Sequence, residues 1–276
     1  MTSTVMDTVA EPTPTQEPRR RSSVVPSALR HGGTLVWRGL VKTTRSPEAL
    51  IDVTLQPVIF LLLFVYVFGG AIAGDPHTYL QFALPGVLVQ SVLFASIGTG
   101  VSLCEDRQTG IFDRFRSLPV SRAAPLLGAI GADLIRYLTS GVIMLVVGAA
   151  LGFRFATGPL PVVAGLAVVI AFAFALCWGF TVLGLLVRDP RSVQGISVMI
   201  TLPLTFGSTV FVPAATMPWW LRSWAEINPV SQAADALRGL YLGGPVAAPV
   251  TSVLVWTALI MGVFAPIAVA LYRKRA

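Results

Sequence analysis

The sequence predicts an all-α polytopic membrane protein with six transmembrane helices and both termini cytoplasmic. Three observations lead there. Apolar residues make up 54% of the 276-residue chain and charged residues 12%, with a mean hydropathy of +0.75; that charge content is about half the soluble norm. Several apolar runs reach the ~20 residues needed to cross a hydrocarbon core. The basic residues crowd into alternate gaps between those runs. Arg19, Arg20, Arg21, Arg30, Arg38, Lys42 and Arg45 precede the first run, Arg107, Arg114, Arg116 and Arg122 follow the second, Arg188 and Arg191 follow the fourth, and Arg273, Lys274 and Arg275 close the chain. The remaining gaps hold few: none in 74–79, Arg154 alone near Gly158, and Arg222 and Arg238 in 214–242. Loops rich in Lys and Arg stay cytoplasmic, so alternate gaps are inside.

In chain order, residues 1–26 carry Pro12, Pro14 and Pro18 among polar residues, with no apolar core region of a secretory signal. They read as a disordered cytoplasmic tail. Residues 27–47 read as an amphipathic helix in the membrane interface. Leu29, Val36, Trp37, Leu40 and Val41 fall in an arc of roughly 140° on a helical wheel, with Arg38, Lys42 and Arg45 on the other side. A basic juxtamembrane linker is the alternative. The six-span domain occupies 48–276. Its first span, 51–73, follows Ser46-Pro47-Glu48, a helix start with Pro at the first position, and Pro57 predicts a kink. The second, 80–103, is interrupted by Pro85-Gly86. The third is 133–152, with a start as early as Leu126 as the alternative, and the fourth is 160–187. The fifth, 193–212, carries Pro203, and the sixth, 250–272, carries Pro266.

Two connections are not plain loops. Residues 104–125, inside, contain Ile111, Phe112, Phe115 and Leu118 at i, i+1, i+4 and i+7, one apolar face ended by Pro119, with Asp106, Asp113 and Arg116 opposite. Such a helix can dock into a groove of a soluble partner; one resting on the bilayer has the same pattern. Residues 214–244, outside, hold Trp219, Trp220, Trp224, Ile227, Leu237 and Tyr241. They read as one or two short helices dipping into the outer leaflet, because Trp and Tyr favour the interface.

The charge of +7 lies in loops beside apolar spans, so anionic headgroups are the expected partner, not nucleic acid. Cys104 and Cys177 read as small buried apolar residues without a disulfide framework. The two histidines, His31 and His77, fall on opposite sides, which excludes a His–Cys metal cluster. Lys42 follows Val41 and Lys274 follows Arg273, so no phosphate-binding loop exists and any ATP-driven transport needs a second polypeptide. Asp133 and Arg136, at the predicted start of the third span, are intramembrane polar candidates or a local ion pair. Gln56, Gln81, Gln90 and Gln194 are candidates for lining a polar path.

The run Leu84-Pro85-Gly86 through Glu105, Gly110 and Arg114-Phe115-Arg116-Ser117-Leu118-Pro119-Val120-Ser121-Arg122 resembles the permease subunits of ABC-2 type transporters, in the daunorubicin-resistance branch of drug exporters. So does Met217-Pro218-Trp219-Trp220-Leu221 followed by Ile227-Asn228-Pro229 and Asp235-Ala236-Leu237-Arg238. The likeness covers residue 27 to the C-terminus. It implies a type V-like exporter permease in the bacterial cytoplasmic membrane, working as a dimer, expected to be a homodimer, with cytoplasmic ABC ATPase subunits that bind ATP and Mg. It implies an ATPase-coupling segment of Glu105, Asp106, Gly110, Ile111, Phe112, Arg114, Phe115, Leu118 and Pro119. It makes Val36 to Lys42 a shared interfacial helix, and Trp219, Trp220, Asn228, Pro229 and Arg238 part of a re-entrant outer segment. The implied cargo is a hydrophobic drug-like or lipid-like molecule moved outward, with a lipid-linked glycan as the alternative. From other classes, an ion-coupled secondary transporter using Asp133 and Arg136, or a non-transporting scaffold, also fit an apolar chain of this length.

Overall fold

Among the described residues, five stretches of helix are long and apolar enough to cross a membrane: Leu55–Ala73, Pro76–Gln108, Asp133–Ala150, Pro159–Leu186 and Ala247–Tyr272. They come from a computed structural model that describes the backbone of residues 47–109 and 124–275, and the side chains of 55–109 and 133–272. The element order is α1 (Pro47–Leu63), a π turn (Phe64–Phe68), α2 (Gly69–Ala73), α3 (Pro76–Gln108), α4 (Ala124–Ala150), α5 (Pro159–Leu186), α6 (Pro190–Phe206), a 3₁₀ turn (Ala214–Thr216), α7 (Trp219–Ile227), α8 (Pro229–Leu242) and α9 (Ala247–Arg275). Among the described residues there is no strand. The chain is an all-α polytopic membrane protein.

One local device starts three of these helices. Asp75, Asp189 and Asn228 each precede a proline, and each side chain accepts a backbone N–H: Thr78 N at 2.9 Å, Ser192 N at 3.0 Å and Val230 N at 2.9 Å. The cap satisfies an orphan donor, and proline's fixed φ suits the first helical position. At exposed Asp189 the Ser192 hydroxyl adds a second bond of 2.9 Å, and these bonds hold the carboxyl below the usual carboxylate range. Gly74, at φ +75°, ends α2 in the left-handed region, so the turn into α3 is only two residues long.

The centre of the bundle is α3, 72% of whose apolar window is buried, against 11% for α9. It packs on α4, α5, α6 and α8. Leu84, Leu88, Tyr137, Phe172, Leu237 and Tyr241 form the main core around it; Leu103, Trp178, Leu185 and Tyr272 form a second cluster. Two glycines let backbones touch. A Cβ on Gly184 would overlap the Gly100 carbonyl, and one on Gly86 would sit 2.5 Å from the Val210 carbonyl. Cys104 and Cys177 are free and buried.

Several expected features move. The first-span helix runs unbroken through Pro57, and its irregularity is the π turn at Phe64–Phe68, where Phe64 stacks on Phe211 at 4.1 Å between centroids. Likewise α3 is continuous through Pro85-Gly86, because Gly86 is the contact surface for the Val210 backbone and not a break. It also extends to Gln108, so residues 104–108 are helix rather than loop. The third helix begins at Ala124, where Pro125 occupies its first turn, ahead of the expected 133 and two residues before the earlier alternative, Leu126. The fifth leaves the helix at Phe206 rather than 212; its 17 residues span about 25 Å.

Candidate functional site

Polar side chains gather at three places in this apolar bundle. The first is a cavity of ≈ 550 Å³ walled by α1, α3, α4 and α6, within the ~300–1,000 Å³ of small-molecule sites. Gln56 and Phe60 come from α1, Gln90 and Phe94 from α3, Arg136 from α4 and Gln194 from α6. Three of the four glutamines singled out in the sequence thus meet in one groove. Gln90 is 5% exposed and its Oε1 has no partner among the described residues. The fourth does something else: Gln81 Nε2 donates to the Gly152 carbonyl at 3.1 Å, and its Oε1 accepts Arg154 N at 3.1 Å, which fixes the turn after α4.

Asp133 and Arg136 form the second place. They do not sit at a helix start: at 1.5 Å per residue they lie ~14 and ~18 Å along α4. The carboxylate and guanidinium are 2.8 Å apart. Asp133 also accepts the Thr99 hydroxyl, which lies 3.2 Å from the Tyr137 hydroxyl. Arg136 Nη2 donates to the Ala95 carbonyl at 2.8 Å. Gly98 makes room for it, since a Cβ there would come within 3.2 Å of Nη2. The pair is therefore local, as burial of opposite charges demands, but it is not symmetric. The Asp133 side chain is 11% exposed and turned into the helix contact, whereas that of Arg136 is 23% exposed and lines the cavity.

The third place is the turn after α6. Residues Ser208 to Phe211 are buried and non-helical, so their backbone groups need partners from elsewhere. Side chains provide them. Thr209 N donates to Ser231 Oγ at 3.1 Å, Arg238 Nη2 donates to the Thr209 and Val210 carbonyls at 2.6 and 3.2 Å, and the Tyr79 hydroxyl donates to the Phe211 carbonyl at 2.8 Å. Asn228 Nδ2 reaches the Leu204 carbonyl at 2.7 Å while its Oδ1 caps α8, with Pro229 as the first helical residue. Arg238 pairs with Asp235 at 2.7 Å. Asn228 and Arg238 thus bind the outer helices to the bundle. Trp219, Trp220, Trp224 and Ile227 stay 48–81% exposed on α7, with Arg222 and Glu226 paired at 3.1 Å on another face. That is the pattern of a helix at a membrane–water boundary.

Of the sequence-predicted coupling residues, Glu105 and Asp106 lie on the last turn of α3, Glu105 exposed. Two neighbours not singled out in the sequence anchor that turn: Arg107 Nη1 donates to the Leu185 carbonyl at 2.6 Å and Gln108 Nε2 to the Arg188 carbonyl at 2.7 Å. No local signal marks them, because the carbonyls they reach lie at and just past the end of α5, 78 and 80 residues along the chain. Gly110, Ile111, Phe112, Arg114, Phe115, Leu118 and Pro119 lie outside the described residues, as do Val36, Trp37, Arg38, Leu40, Val41 and Lys42. Among the described residues no group of His, Cys, Asp and Glu could hold a metal ion.

Residues 31–242 match the family model of the ABC-2 type transporter. The chain is 41% identical over 255 residues to the daunorubicin resistance ABC transporter permease protein DrrB1 of Streptomyces coeruleorubidus, covering 92% of this chain and 89% of that protein. It is 31% identical over 239 residues to the probable doxorubicin resistance ABC transporter permease protein DrrC of Mycobacterium tuberculosis, covering 86% of each. It is 32% identical over 216 residues to the putative transport permease ycf38 of Cyanophora paradoxa, covering 75% of this chain and 72% of that one.

Proposed function

This chain belongs to the ABC-2 type transporter family, and from that premise we propose that it is the membrane-spanning permease subunit of an ATP-binding cassette exporter. It moves a hydrophobic drug-like or lipid-like molecule out of the cytoplasm across a bacterial cytoplasmic membrane. ATP and Mg are bound by a separate cytoplasmic ATPase subunit, and two permease copies face each other in the working complex. Six spans leave both ends in the cytoplasm, α6 and the turn after it making the fifth crossing. Glu105 to Pro119 sits in a cleft of the ATPase and transmits its closure to the bundle. Residues 27–47 lie along the inner membrane surface, and 214–244 form the re-entrant outer segment.

The observation that carries this reading is the cavity between three membrane-length helices and α6, whose wall mixes phenylalanine with amide and guanidinium groups. A site for an amphipathic molecule needs that combination of apolar area and a few fixed polar groups. An ion-coupled mechanism has less support, since Asp133, the one acidic candidate named for it, already accepts bonds from Arg136 and Thr99. The test is transport into inverted vesicles containing both subunits. Uptake of an amphipathic drug should need ATP, stop with vanadate, and ignore collapse of the proton gradient. Uptake that follows the gradient without ATP overturns the proposal.

A further inference from the structure

The groove's charge is one-sided, and that bears on what it holds. Arg136 presents a guanidinium to it, while Asp133, which balances that charge, is turned away into the α3–α4 contact, bonded to Thr99. No Asp or Glu lines the cavity among the described residues. The other polar groups are the amides of Gln56, Gln90 and Gln194, each able to donate and to accept. Two polar atoms at the groove are left over inside the chain: Arg136 Nε and Gln90 Oε1 are buried without a partner among the described residues. Neither atom has accessible surface, so what the groove offers an occupant is the exposed part of the Arg136 guanidinium and the exposed amides of Gln56 and Gln194.

We propose that the groove recognises amphipathic molecules whose headgroup is an oxygen acceptor, anionic or neutral, and that Arg136 selects them against cationic amphiphiles. The inference rests on the permease reading above and names the substrate class of its site. A carboxylate, phosphate or carbonyl oxygen accepts from the guanidinium fork, which suits oxyanions in its planar geometry. A hydroxyl or amide on the same headgroup donates to the exposed amide of Gln56 or Gln194. The apolar body lies against Phe60 and Phe94. An ammonium headgroup meets a fixed like charge away from bulk water, a cost that attraction to the two phenyl faces does not offset. The oxyanion has two sources, a carboxylated solute or a phospholipid headgroup, and both share this chemistry.

The full-length chain in neutral-lipid nanodiscs would be titrated with three fluorescent probes: dansylaminoundecanoic acid, its trimethylammonium analogue and a short-chain fluorescent phosphatidic acid. The acid or the phosphatidic acid should bind about tenfold more tightly than the cation, and whichever of the two leads identifies the source. The neutral double variant Asp133→Asn with Arg136→Gln should lose that preference. Gln56→Glu changes only an exposed wall position and keeps the test alive if the double variant does not fold. It should weaken the anionic probes and strengthen the cation. Equal binding of cation and anion by the unaltered chain, or a preference untouched by the recovered variants, overturns the proposal. ATP-driven uptake of amphiphiles without charge preference sinks the groove assignment and leaves the permease standing. Selective anion binding with no ATP-driven uptake does the reverse.

Discussion

The guanidinium of Arg238 lies 3.7 Å over the ring of Phe82, and its Nε donates to the Phe82 carbonyl at 3.1 Å. One arginine on an outer helix is thus both stacked on and bonded to the central helix. Its other nitrogens hold Asp235 and the carbonyls of Thr209 and Val210. A planar fork makes this possible, and an ammonium cannot reproduce it.

Arg238→Ala takes the guanidinium from the buried Thr209 and Val210 carbonyls and leaves the Asp235 carboxylate with the Thr209 hydroxyl alone. The expected cost is about 2–4 kcal/mol of stability. Arg238→Lys should recover less than half of it, because a single ammonium nitrogen cannot span the separated acceptors that Nε, Nη1 and Nη2 bridge, nor stack flat on Phe82. Tryptophan fluorescence during thermal unfolding in detergent checks both. Melting curves for the lysine variant that overlay the wild type would show that charge alone matters there.

Asn228 separates two functions by atom. Its Oδ1 caps α8 at Val230 N, and its Nδ2 ties the end of α6 at the Leu204 carbonyl. Asn228→Asp keeps the acceptor and sets a carboxylate against a carbonyl. Asn228→Ser keeps a cap and loses the reach. The aspartate variant should be the less stable of the two, by about 1–2 kcal/mol. The same unfolding assay decides the order; the reverse ranking would mean the cap dominates.

How much of this was legible depended on what kind of signal each element carries. The helix α5, expected at 160–187 and found at Pro159–Leu186, is bounded by Gly158-Pro159 and Asp189-Pro190, so its ends are written in local chemistry. The end of α6 is not, because residues 193–212 stay apolar while the backbone turns at Gly207. What bends it is Asn228, Ser231 and Arg238, all far along the chain. Asp133 and Arg136 were legible as a pair but misplaced in depth, because residues 124–132 prolong their helix toward the N-terminus. The glutamines were legible as polar one by one. That three share a groove and Gln81 does not depends on how α1, α3 and α6 pack, which no local pattern records.

Sidedness follows from the charge pattern, and single cysteines test it. Cys104 and Cys177 are buried, so background labelling should be low. Thr109 and Ser223 are exposed, the first just past α3 and the second on α7. In intact cells a membrane-impermeant maleimide should label Ser223→Cys and leave Thr109→Cys unlabelled until the cells are opened. Labelling of Thr109→Cys from outside would invert the topology and end the coupling proposal.

The coupling segment gives the last prediction. Phe112 and Phe115 are one turn apart on a helical repeat, so they would present neighbouring knobs to an ATPase cleft. Phe112→Asp with Phe115→Asp puts charge where apolar area is to be buried. Co-purification of the ATPase should fall by about tenfold or more, and ATP-driven uptake with it. Thermal stability of the isolated permease should not change, because the bundle core is built from α3, α5, α8 and their neighbours, as its buried residues show. Phe112→Leu with Phe115→Leu should restore capture, since it keeps the apolar face. A helix lying on the bilayer instead would respond differently: the aspartates would disturb membrane association while the ATPase still co-purified. Retained capture and transport in the aspartate variant therefore assign these two phenylalanines to lipid and not to a partner.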